Sequence, residues 1–94
     1  MSQKISQIEE SERQKRIKRL IYRASYTGMK ETDLLLGQFA ENFLPHLEDE
    51  YLLQFESLLD AGDPMLLAWV KGDEDVPEQF DTQVFQLIKN FKIS

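Results

Sequence analysis

An all-α fold, a single small bundle of about five short helices, is what the sequence predicts. Apolar residues recur at spacings of three and four, the period of one helix face. No stretch alternates convincingly with period two, as a half-buried strand would. Glycine and proline cut the apolar stripes into segments of helical length. The 94 residues make one domain, since domains run from about 50 to 250 residues. A chain this short builds one modest core, with little room for a deep enclosed active site.

Each element has its own signature. Residues 1–10 read as a flexible N-terminal segment, and the helical domain as residues 11–94. Ser11 with Gln14 matches a capping box, and Ile17, Leu20, Ile21 and Ala24 form the first apolar stripe. Gly28 follows, where a left-handed residue closes a helix and glycine adopts that conformation without strain. A second helix opens near Thr32 or Asp33 with Leu35, Leu36, Phe39, Ala40 and Phe43 on its apolar face. It ends at Leu44-Pro45, because the residue before proline is pushed out of the helical region. Within it, Gly37 costs about 1 kcal/mol relative to alanine, which points to close packing of another helix or of a partner, or to a tolerated weak position.

In the third helix Glu48, Asp49 and Glu50 occupy the first turn, where the dipole favours acids. Leu52, Phe55, Leu58 and Leu59 form its stripe, and Gly62 stops it. Asp63 as N-cap and Pro64 at the first position start a compact fourth helix that Gly72 closes. A polar loop leads to a last helix, entered near Asp81 or Thr82 and marked by Val84, Leu87, Ile88 and Phe91.

Composition narrows the function. There is no cysteine, so disulfides, thiolate metal sites and cysteine nucleophiles are excluded together. No apolar run approaches the ~20 residues that span a bilayer, and the N-terminus lacks the apolar core of a secretory signal. A cytoplasmic protein is expected. Charge is segregated: residues 1–30 carry eight basic and three acidic groups, residues 31–94 three basic and fourteen acidic, for a net −6. A pI near 4.7 argues against nucleic acid, whose binding domains are basic. Arg13, Lys15, Arg16, Lys18, Arg19 and Arg23 are better explained by pairing with the downstream acids. His46 has no second imidazole or thiol with which to share a metal. Asp73-Glu74-Asp75 lacks the ligand spacing of a calcium loop. Trp69 is either a partly exposed interface anchor or, more often in so small a chain, a core filler. From the residues alone, the chain is an acidic helical interaction domain with no evident active site.

At "YTGMKETDLLLGQF" the sequence resembles the small FAD assembly factors of succinate dehydrogenase, the family that includes mitochondrial assembly factor 2 and bacterial members. The resemblance extends from about Lys15 to Phe91 through "KRIKRLIYRA", "GMKETDLLL", "LLDAGDPMLLAWV" and "FQLIKNF". Gly28 and Glu31 match the family signature R-G-x-x-E, and Asp33 matches an acid commonly found two residues further on. Thr27 stands where the signature has arginine, and Arg23, one turn earlier, is the cation expected nearby. The resemblance implies a five-helix helper that is not itself an enzyme. It binds the flavoprotein subunit of succinate dehydrogenase, or the related subunit of fumarate reductase, and promotes covalent attachment of FAD to a histidine there. Taken together with the composition, the expectation is no cofactor or metal of its own, no nucleic-acid partner, no membrane insertion, and a monomer when free. Gly28, Met29, Glu31, Asp33, Arg23 and Trp69 are the expected partner-binding residues. The alternative is a chaperone-like or antitoxin-like binding module with a different target.

Overall fold

Five α-helices follow one another in the computed structural model, which describes residues 2–92, with side chains from residue 12 onward. They are α1 (Ser2–Ser25), α2 (Lys30–Phe43), α3 (Asp49–Asp60), α4 (Asp63–Lys71) and α5 (Gln83–Asn90). Single 3₁₀ turns at Leu44–His46 and Glu78–Phe80 complete the secondary structure, and no strand occurs among the described residues. The expected all-α bundle is what forms.

Helix α1 begins at Ser2, so Ser11 lies inside the helix and does not start it. The physical reason is that residues 2–10 contain neither glycine nor proline, and nothing there interrupts the backbone ladder. The N-terminus of α4 also shifts by one residue: Gly62 is the N-cap and Asp63 the first helical residue, with no side-chain cap. Helix α5 starts as its sequence implies, with the Thr82 hydroxyl accepting from Phe85 N at 3.2 Å.

The core gathers one face from every helix: Ile17, Leu20 and Ala24 of α1, Leu35, Leu36, Phe39 and Ala40 of α2, the α3 stripe, Leu66 and Trp69 of α4, and Val84, Phe85 and Ile88 of α5. Phe39 is its hub. Its ring lies 4.7 Å from Phe43, 5.8 Å from Phe55 and 5.7 Å from the edge-on ring of Phe91, between centroids. Such pairs add about 0.5–1.5 kcal/mol each beyond area burial.

One core expectation changes. Leu87 is 39% exposed and Phe85 takes its place inside, because α5 turns its Val84–Phe85–Ile88 face inward and leaves Leu87 on the rim of an apolar groove with Leu47 and Tyr51. Trp69, weighed as a partly exposed anchor or a core filler, is the latter at 6% exposed. Its ring stacks on Phe80 at 5.0 Å, so the loop after α4 folds back to cover it.

Helices α1 and α2 make the most extensive contact in the molecule. Gly37 explains how they approach so closely. A Cβ there would stand 2.8 Å from Ser25 Oγ and 3.5 Å from Ser25 Cα, so glycine lets α2 sit against the last turn of α1. The missing side chain is used inside the fold.

Candidate functional site

The corner between α1 and α2 is held by a small set of local bonds. After Ser25 the chain turns, and Gly28 takes φ +112°, a conformation that costs other residues strain. A Cβ at Gly28 would meet only Asp63 Oδ2, at an ordinary 3.8 Å. Backbone conformation, not crowding, is what calls for glycine here. Met29 is extended and caps α2 without a side-chain oxygen. Its carbonyl accepts from Asp33 N at 2.8 Å.

Asp33 closes the turn from the other side. Its Oδ1 accepts from Thr27 Oγ1 at 2.5 Å and from Thr27 N at 2.7 Å. The Thr27 hydroxyl is the largest influence holding the Asp33 carboxyl below its ordinary pKa. Partial desolvation opposes it, and the backbone N–H groups of Thr27 and Gly28 act in the same direction as the hydroxyl. Hydrogen bonds to the charged form favour that form. Thr27, standing where the signature arginine would, is therefore the residue that clamps the acid of the following helix.

The expected site residues separate in space. Gly28, Met29, Glu31 and Asp33 share the corner. Glu31 is exposed on the first turn of α2 and makes no ion pair or side-chain hydrogen bond with any described residue. Met29 is half-buried. Arg23 Nη2 pairs with Asp60 Oδ1 at 2.5 Å, tying α1 to the end of α3. Trp69 belongs to the core. The basic lead-in pairs in part with downstream acids, as its charge pattern implies, with Arg13 reaching Asp49 at 2.7 Å and the Leu47 carbonyl.

Three neighbours escape a reading from sequence. Tyr22 and Tyr26 are 67% and 69% exposed, with ring centroids 4.7 Å apart. Leu34 is exposed as well and, with Ser25, Tyr26, Asp33, Gln38 and Glu41, lines a shallow hollow of about 250 Å³ beside the turn. The signal for the tyrosines was their four-residue spacing off the buried stripe of α1. Large rings on a solvent-facing side are candidates for contact with a partner.

These groups present a carboxylate, a thioether and two phenol rings on a rigid corner, an arrangement suited to binding and orienting another protein. Among the described residues no cluster of three His, Cys, Asp or Glu side chains could hold a metal. No described helix is long and apolar enough to cross a membrane.

Comparison with known proteins points the same way. Residues 18–92 match a protein-family model described as the flavinator of succinate dehydrogenase. The chain is similar to the FAD assembly factor SdhE of Legionella pneumophila, 40% identical over 63 residues that cover 67% of this chain and 78% of that one. It is similar to the mitochondrial succinate dehydrogenase assembly factor 2 of Dictyostelium discoideum, 38% identical over 80 residues, 85% of this chain and 57% of that protein. The corresponding protein of Schizosaccharomyces pombe is 34% identical over 74 residues, 78% of this chain and 53% of its own length. The chain thus spans about half the length of the mitochondrial relatives it matches. No solved structure matches it.

Proposed function

The chain belongs to the family described as the flavinator of succinate dehydrogenase, and from that premise we propose that it binds the flavoprotein subunit of that enzyme and promotes covalent attachment of FAD to it. The related fumarate reductase subunit is a second target of the same kind. The helper supplies no nucleophile and keeps no flavin: histidine and FAD both belong to the flavoprotein. Its contribution is orientation, holding the subunit so that the two meet in a reactive geometry, an effect that proximity makes large. The helper acts as a cytoplasmic monomer in this reading.

The observation that carries the proposal is the state of the corner. Asp33 is engaged by Thr27 and Arg23 by Asp60, while Glu31 stands exposed with no partner among the described residues. A preorganised turn that leaves one carboxylate free loses little entropy when a cation of the flavoprotein meets it. Gly28 keeps the backbone low there, and Met29 offers an adaptable apolar contact.

The test is co-expression of the succinate dehydrogenase flavoprotein subunit with and without this chain, followed by denaturing electrophoresis and in-gel flavin fluorescence. Fluorescence on the subunit rises when the chain is present. Equal fluorescence in both, with both proteins folded, would refute the proposal.

A further inference from the structure

The six cations of the basic lead-in are sorted by the fold. Arg13, Arg16 and Arg23 lie toward the bundle, with Arg13 at 2.7 Å and Arg16 at 4.0 Å from Asp49 and Arg23 on Asp60. Lys15, Lys18 and Arg19 are exposed and pair with none of the described residues. At 3.6 residues per turn, positions 15, 18, 19, 22 and 26 fall within an arc of about 100°. That arc lies opposite the buried Ile17–Leu20–Ala24 stripe. The outward face of α1 therefore carries three cations that are unpaired among the described residues, with Arg19 at its edge toward Glu56, running into the exposed Tyr22–Tyr26 pair, which adjoins the hollow beside the Gly28 turn.

We infer that this face docks an acidic segment of the flavoprotein subunit, a surface continuous with the Glu31 corner but distinct from it. The inference rests on the functional reading above. Charge complementarity identifies the occupant: the rest of this chain is strongly acidic, so the outward face of α1 is a cationic strip on a molecule of opposite sign. The strip attracts carboxylates, and the tyrosines supply large contact area at low entropic cost. Single-stranded nucleic acid fits less well. Its recognition uses aromatic faces open for base stacking, whereas these two rings lean on each other at 4.7 Å and 39°.

The experiment measures affinity of the purified flavoprotein subunit for the wild-type chain, for the double variant Lys15→Glu/Arg19→Glu, and for Tyr22→Ala/Tyr26→Ala. None of these side chains is buried, so both variants keep the fold, checked by circular dichroism. Each double variant loses about tenfold or more in affinity, the scale of interface anchors. Wild-type binding weakens as salt rises from about 0.05 to 0.5 M, and that dependence flattens in the charge-reversed variant. Retention of wild-type affinity by either double variant overturns the inference while leaving the functional reading intact. So does tight, salt-sensitive binding of a single-stranded oligonucleotide to this face, abolished by the same charge reversal. Failure of the wild-type chain to bind the subunit at all removes the functional reading and this inference with it.

Discussion

Asp33 carries local bonds that its motif position does not reveal. Its motif position implies a contact with a partner, yet Oδ1 is held by both the hydroxyl and the amide of Thr27. Because those bonds lower its pKa in the folded chain, the unfolded chain binds the proton more readily in acid, and stability rises with pH across that range. The charge-dependent stabilisation is complete above the ordinary aspartate pKa, about 3.9, and fades as pH falls through the lowered folded value. Thermal unfolding of wild type and Asp33→Asn at a series of pH values checks this: the wild type's advantage near neutrality shrinks in acid. An advantage that is constant with pH would contradict it. Glu31 behaves differently. An exposed first-turn acid contributes about 0.3–1 kcal/mol through the helix dipole, so Glu31→Ala lowers the melting temperature by no more than a few degrees. Sequence could place Glu31 in the motif but could not separate it from Asp33, because their difference lies in what Thr27 reaches once the turn has formed.

At the scale of elements, helix existence was legible and helix edges less so. Stripes at three- and four-residue spacing identified every buried face of α1, α2 and α3, since those faces depend on local periodicity alone. The rotation of α5, which buries Phe85 in place of Leu87, depends on what the other helices leave open, and the cover over Trp69 depends on a loop folding back. Gly37 offers a test of the α1–α2 contact. Alanine would gain about 1 kcal/mol of helix propensity, but its Cβ meets Ser25 Oγ at 2.8 Å, and Ser25 is held by its own bond to the Ile21 carbonyl at 2.8 Å. Gly37→Ala therefore lowers stability in urea unfolding, whereas in a Ser25→Ala background the same change raises it, because the remaining Ser25 Cβ contact is an ordinary 3.5 Å. Destabilisation in both backgrounds would show that crowding comes from the backbone and not from the hydroxyl.

For the whole molecule, one aromatic hub and one charge division organise everything else. Phe39 joins α2 to α3 and to Phe91 beyond α5, so Phe39→Ala removes about 3–5 kcal/mol. A small domain has only about 5–15 kcal/mol in total. Its denaturant midpoint falls steeply, and a loss below about 1 kcal/mol would mean that the hub is not as tightly packed as its geometry implies. The charge division was visible in composition, but not which cations the fold spends on α3 and which it leaves outward. That sorting needed the helix in place against its neighbours. The central claim is that the corner acts on the flavoprotein through a group that does not hold the fold together. The direct measurement is reconstitution from purified flavoprotein subunit and FAD, following covalent flavin over time with wild type and with Glu31→Ala, whose melting temperatures are compared in parallel. The account predicts a melt lowered by at most a few degrees and a large loss of covalent flavin for the variant. Full flavin attachment by a properly folded Glu31→Ala chain would contradict it.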